Sequence, residues 1–236
     1  MSTTDTTSFN MDVNELFAEA FDRCGVEIRT GYDFKSARRS LNLLLLDWAN
    51  KGLNLWTIKE ATIPMVQGQI AYDLPLDCVD VLDAVIRTGT GTTQSDVSIT
   101  RVSATDYIFL PNKNAQGRPI QYWVDRKTGA TNAASVVQYP QVYMYLAPDQ
   151  SSYYTLVYHY LRRMQDSGFG VNTQDIPFRL LPALVAGLAY YMALKIPDAY
   201  SRLPDLKMIY DEAWQNAADE DREKATLRLV PRIGYI

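Results

Sequence analysis

The strongest constraint on this chain is a hydrophobic period that changes twice. Apolar residues recur at three-to-four spacing up to Lys51, give way to short β-branched and aromatic runs between Trp56 and Arg163, and return to helical spacing from Ile176. A chain patterned helix, helix, strands, helix, helix must bring its two ends together. Each amphipathic helix at one end needs an apolar face to bury, and faces of matching period lie at the other end. The expected class is α+β. Residues 11–56 plus 176–225 should form a helical bundle, and residues 57–165 a central antiparallel β domain, either a meander or a small barrel. A disordered N-terminal arm (1–10) and an extended C-terminal tail (226–236) should flank them. At 236 residues, 47% of them hydrophobic, the chain can bury a core without disulfide or metal staples.

In the first helix Val13, Leu16, Phe17, Ala20, Phe21 and Cys24 share one face, and Gly25 is its stop signal. The next, expected over 33–51, is the most strongly patterned: Phe34, Ala37, Leu41, Leu44, Leu45 and Trp48 lie within about 50° of one line at about 100° per residue. Leu43 and Leu46 fall on the opposite side. Two leucines are wasted on a solvated face, so this helix should also touch a neighbour, another subunit being the expected one. A helix over 176–195, with Pro177 in its first turn, mixes leucines with Ala183, Ala186, Gly187, Ala189 and Ala193, which suits a central helix packed on several sides. The last helix, over 201–225, presents Leu203, Leu206, Ile209, Tyr210, Ala213, Trp214 and Ala217. Candidate strands are 57–63, 69–73, 79–88, 97–102, 120–125, 135–139, 142–146 and 153–162, with a short helix capped by Ser103 between the fourth and fifth.

Chemistry is sparse in this pattern. Two cysteines, Cys24 and Cys78, rule out a disulfide framework or a four-cysteine zinc site, and the single His159 rules out multi-histidine metal sites. No catalytic, cofactor-binding or metal-binding residue is expected. His159 sits in a strand-like run without a GxSxG context, which reads as a cross-strand partner. Residues 89–93, Gly-Thr-Gly-Thr-Thr, lack the GK[ST] ending of a phosphate loop and read as a hairpin tip. Seven of the sixteen tyrosines fall between Tyr139 and Tyr160; with few cations beside them, an aromatic core or subunit interface fits better than base stacking. No apolar run approaches a membrane span, and the first ten residues lack the plan of a signal peptide, so neither spanning nor secretion is expected. Net charge −4 and a pI of about 5.1 argue against wrapping nucleic acid. The pairs Arg38-Arg39 and Arg162-Arg163 are local basic patches, read as solvated ends or as contacts for phosphate or an acidic partner.

The tail is a different case. Arg228, Leu229, Val230, Pro231, Arg232, Ile233, Tyr235 and Ile236 carry two cations and no acid, too short to fold alone and too apolar to prefer water. An extended arm that docks on a partner or adds a strand to a sheet edge is the economical reading.

Several segments then point to a family. Ala37-Arg38-Arg39-Ser40-Leu41-Asn42, followed by Asp47-Trp48-Ala49-Asn50-Lys51-Gly52 and Leu55-Trp56, resembles the N-terminal helix of head-to-tail adaptors of tailed bacteriophages, the connector or tail tubular protein A group of podovirus type. Gly68-Gln69-Ile70-Ala71-Tyr72-Asp73-Leu74-Pro75, Gly117-Arg118-Pro119 and Tyr122-Trp123-Val124-Asp125-Arg126 are similar to the β domain of such virion proteins. The resemblance runs from about Asn14 to Arg232. It implies a structural virion protein at the head-tail junction, assembled in the host cytoplasm as a ring of twelve copies. Such a ring binds the portal protein on one side and a nozzle or other tail protein on the other, and double-stranded DNA passes through without specific binding. The terminal tail would then grip the portal, and Leu43, Leu46, Arg38 and Arg39 would lie between subunits. An acidic wall suits passage, since a basic lumen would hold phosphate. The rivals are a tail-associated glycan hydrolase and a carbohydrate- or receptor-binding tail module using the tyrosine-rich strands. No particular carboxylate pair marks the former.

Overall fold

The structure, a computed structural model, describes residues 5, 9, 11–27, 31–52, 55–127, 130–131 and 136–221. In chain order its helices and strands are α1 (Val13–Cys24), α2 (Gly31–Asn50), β1 (Ile58–Pro64), β2 (Ala71–Asp73), β3 (Cys78–Thr88), β4 (Ser95–Ser98), β5 (Thr100–Arg101), α3 (Ala104–Ile108), β6 (Gln121–Asp125), β7 (Gln141–Tyr145), β8 (Tyr154–Arg162), α4 (Leu181–Ala193) and α5 (Leu203–Glu220). The class is α+β, as the period change predicts. The chain divides into two compact units, one from Met1–Trp56 with Met164–Ile236 and the other from Thr57–Arg163.

In the first unit α4 packs against α1, α2 and α5. Ala183 through Ala189, Met192 and Ala193 are all buried, so this helix has almost no outer face. Its small residues let the neighbours close in. A Cβ built on Gly187 would lie 2.8 Å from the Tyr210 ring and 3.0 Å from Leu44, so glycine marks the point where α2, α4 and α5 meet. Beside it, Trp48 Nε1 donates to Tyr210 Oη at 3.1 Å, giving two buried aromatic polar groups a shared partner. α1 opens with a capping box. Glu15 N–H donates to Asp12 Oδ1 at 2.8 Å, and Asp12 N–H donates to Glu15 Oε2 at 3.1 Å. Gly25, in the left-handed region at φ 73°, closes the helix as the sequence predicts.

Two helix starts differ from the sequence reading, and proline is the reason for both. A helix running on from 176 would place Pro182 in its interior, without an N–H to give and with its ring against an earlier carbonyl. The chain instead makes a 3₁₀ turn over Phe178–Leu180 and begins α4 at Leu181, with Pro182 in the tolerant first turn. Likewise a 3₁₀ segment, Pro197–Arg202, precedes α5, which begins at Leu203 with Pro204 in its first turn.

The second unit is neither a meander nor a barrel. It holds two four-stranded sheets, ordered β1-β8-β3-β4 and β2-β7-β6-β5, whose buried residues form one shared core. The pairs are antiparallel except β5 with β6, which is parallel. Strand periodicity reports which residues face inward and says nothing of which strand is the neighbour, which is why β8 lies unannounced between β1 and β3. The expected strand over 97–102 breaks at buried Ile99: β4 stays in the first sheet and β5 joins the second. Arg101, just past the break, donates to Asp80 (2.8 and 3.2 Å) and to the Val81 carbonyl (2.9 Å), clipping the second sheet to the first. Of the strand expected over 135–139, the described residues 136–139 hold one bridge, Val137 with Thr131.

β3 carries two bulges. Its register against β8 slips between Cys78 and Asp80 and again between Val81 and Asp83, leaving Val79 and Leu82 as the extra residues. Both are exposed, while Cys78, Val81, Ala84 and Ile86 turn inward.

Candidate functional site

Among the described residues no group of three or more His, Cys, Asp and Glu could hold a metal ion, so the candidate site is sought on surfaces. α2 is the informative helix. Among its described side chains the exposed residues are Gly31, Lys35, Arg39, Leu43, Leu46 and Asn50, spaced four, four, four, three and four apart. That spacing is one stripe along the helix, and the other described side chains of α2 are buried or half-buried. Leu43 is 55% and Leu46 61% exposed, whereas Leu41, Leu44 and Trp48 are at 0%. The stripe thus begins cationic and ends in two leucines.

The cationic half is reinforced. Lys195, just past α4, donates through Nζ to Ser40 Oγ at 2.8 Å, and Ser40 donates to the Ser36 carbonyl at 3.1 Å. Partial burial, and secondarily the nearby Arg39 charge, hold the Lys195 ammonium below its ordinary pKa. Arg38 behaves differently from its neighbour: its guanidinium lies 5.5 Å from the ring centre of Phe169 in the following loop. That loop, the polar glycine-containing segment after β8, is tied down by Ser167 N–H to Asn42 Oδ1 (3.0 Å) and by Val13 N–H to the Asn172 carbonyl (3.0 Å). It leaves Phe169, beside α2, and Val171 exposed.

A second stripe, on α5, escapes the sequence reading, which assigns Ile209 to the apolar face. Leu206, Tyr210 and Ala217 are buried, but Ile209 is 44% and Met208 65% exposed. Asp205, Met208, Ile209, Glu212 and Asn216 lie within about 60° of one line on the outer side. The signal was present in the sequence. Met208, Ile209 and Tyr210 are consecutive, and three neighbours about 100° apart cannot all face one core.

The chemical candidates resolve into structural roles. His159 pairs across the sheet with Glu60 on β1, at 3.5 Å, and with Asp83 on β3, all near the surface. Burial raises the Cys24 thiol to about 11 and the Cys78 thiol to about 12, so both stay protonated and unreactive at neutral pH. Tyr122, Tyr154, Tyr158 and Tyr160 fill the β core. Tyr143 instead joins Tyr107 and Trp123 in an aromatic group outside it, with ring centres 4.9 to 5.9 Å apart. Residues 89–93 do form a hairpin tip, between β3 and β4. Arg163 is turned back onto the Leu76 carbonyl at 2.9 Å. A shallow apolar groove of about 410 Å³ lies between α1 and the start of α4, lined by Met11, Phe178, Leu181 and Val185 among others. No described helix is long and apolar enough to cross a membrane. The tail residues Arg228, Leu229, Val230, Pro231, Arg232, Ile233, Tyr235 and Ile236 lie outside the described residues.

Compared with known proteins, residues 11–232 match the family model described as SU10 adaptor protein. No curated protein matches the chain.

Proposed function

Since the chain belongs to the SU10 adaptor protein family and is thereby a structural adaptor of a phage particle, we propose that it forms a homo-oligomeric ring between the portal and the tail, extending the DNA channel. The observation that carries this reading beyond the family is the stripe on α2: a helix whose inner face is buried in its own unit leaves Leu43 and Leu46 in water on its outer side. Buried between subunits, each leucine would contribute roughly 1–2 kcal/mol at about 25 cal/mol per Å². Twelve copies is the subunit number proposed, with Leu43, Leu46 and Arg39 between neighbours and Arg38 at the border beside Phe169. The portal-binding element is the tail, Arg228 to Ile236, and the distal partner is a nozzle or other tail protein. DNA slides past a chain of net charge −4 without being gripped.

Quantitative peptide mass spectrometry of purified particles tests the reading. Copy numbers close to those of the portal protein are expected; absence from particles overturns it. Removal of Thr226 to Ile236 should leave both units folded and abolish portal attachment, and normal attachment of the shortened chain would remove the tail from this role.

A further inference from the structure

The α2 stripe calls for an apolar helix face with acids at the right distance, and the same chain carries one. Lys35, Arg39, Leu43, Leu46 and Asn50 lie within about 40° of one line on α2, cations first and leucines after. On α5 the outer line reads Asp205, Met208, Ile209, Glu212 and Asn216, continuing to Asp219. Among the described residues Lys35, Arg39, Asp205 and Glu212 are exposed and none forms an ion pair.

We propose that the outer stripe of α2 on one copy packs antiparallel against the outer stripe of α5 on the next, so that one repeated head-to-tail contact builds the ring. The inference rests on the ring reading above. Antiparallel placement centres Leu43 and Leu46 on Met208 and Ile209. Arg39, between five and six residues back from that centre and so about 8 Å away at about 1.5 Å per residue, then falls between Glu212 and Asn216. Lys35 comes beside Asp219, and Asn50 beside Asp205 at the other end. Parallel placement would match only Asp205 to the cations and leave Glu212 and Asp219 beyond the leucines. Leucine on methionine and isoleucine supplies the apolar centre, and the charges set direction and register.

The contact is heterologous, because the two stripes lie on different helices. A heterologous contact generates a ring when its rotation closes, where a self-complementary stripe would stop at a dimer. Inside one copy the two helices already meet through their inner faces, with Trp48 on Tyr210 and Trp214. Their outer faces are thus turned away from that shared contact and are available to different neighbours.

Cysteine pairing in assembled particles tests the proposal, and the buried Cys24 and Cys78 will not interfere. The double variant L46C/I209C, in full-length protein, is expected to give a ladder of covalent multimers on mild oxidation, while L46C or I209C alone stays monomeric. Dimers from L46C alone would mean that α2 meets α2, and would overturn the proposal. Absence of a ladder from particles that contain the protein at portal-like copy number overturns this contact and leaves the ring reading standing, whereas absence of the wild-type protein from particles brings down both. Charge exchange provides an independent arm. Arg39→Glu and Glu212→Arg should each lower incorporation about tenfold, and R39E/E212R should restore it. Failure of the pair to rescue, with each variant folded by circular dichroism, counts against the proposal as well.

Discussion

The two units solve the burial problem in different ways. In the helical unit the centre is a helix of small residues, α4, with nearly every side chain buried, so the helices around it have inner faces fixed by close approach and outer faces left over. In the β unit two sheets share one aromatic-rich core, and the exposed apolar residues occur at irregular points: the bulges Val79 and Leu82, the turn residue Leu76, and Ile108 and Phe109 at the end of α3. In the helical unit, besides scattered loop and turn residues such as Phe169, Val171 and Tyr200, exposed apolar side chains also fall on two helix lines, Leu43 and Leu46 on α2 and Met208 and Ile209 on α5. A bulge leaves a hydrophobe outside for local geometric reasons, whereas a regular stripe on a covered helix has no local cause. Only the second kind of exposure argues for a partner.

The largest expected effect separates the units energetically. Trp48→Ala empties a fully buried site and leaves the Tyr210 hydroxyl without its partner, a loss of about 3–5 kcal/mol. Hydrogen exchange should show α2, α4 and α5 losing protection while β8 keeps it; equal loss in β8 would show that the units do not unfold separately. Gly187→Leu comes next, at about 1–3 kcal/mol, from overpacking against Tyr210 and Leu44, and its exchange pattern should match. Arg101→Ala should act on the β unit alone. The Arg101 side chain is 38% exposed, so solvent screening holds the expected loss to about 1 kcal/mol, read as a lower denaturation midpoint for β-unit amides.

Leu43→Lys sharpens the comparison from the other side. A charged residue on the outer stripe should change monomer stability by less than about 0.5 kcal/mol while reducing incorporation into particles. A variant that unfolds would place Leu43 in the core of its own chain. The smallest effect is a titration. The Arg87 hydrogen bonds at 2.9 Å hold the Asp96 carboxyl below its ordinary pKa, so this pair stabilises β3 against β4 above the unfolded carboxyl value of about 3.9. That contribution fades as pH falls through the lower folded value. Carbon-detected NMR should show Arg87→Ala returning Asp96 to the ordinary range.

What the sequence made legible follows the same division. The inner face of α2 was readable, because helical periodicity fixes burial directly: Ala37, Leu41, Leu44, Leu45 and Trp48 are all in the core. The exposure of Leu43 and Leu46 was readable for the same reason. The starts of α4 and α5 were not, since Pro177 and Pro182 each satisfy a first-turn rule and hydrophobic pattern alone does not choose between them. In the β unit the inward residues of β8 were legible, but its place between β1 and β3 depends on long-range pairing. The bulges break the period of two, spacing Cys78, Val81 and Ala84 three apart, and so mimic a helical face within a strand. The α5 stripe was hidden by counting Ile209 with Tyr210 rather than asking how wide a core-facing arc can be.

The helical unit draws its core from both sides of the β unit in sequence, and this sets an order of events. The Trp48 to Tyr210 hydrogen bond spans 162 residues, while the β unit is one uninterrupted stretch, Thr57–Arg163. A ribosome therefore completes the whole contiguous β unit while α1 and α2 still await α4 and α5. Until the last helix emerges, α2 has no settled inner face and hence no distinct outer one. A chain terminated before α5 therefore lacks Tyr210 and Trp214, the partners of Trp48, and with them the packing that fixes which side of α2 faces inward.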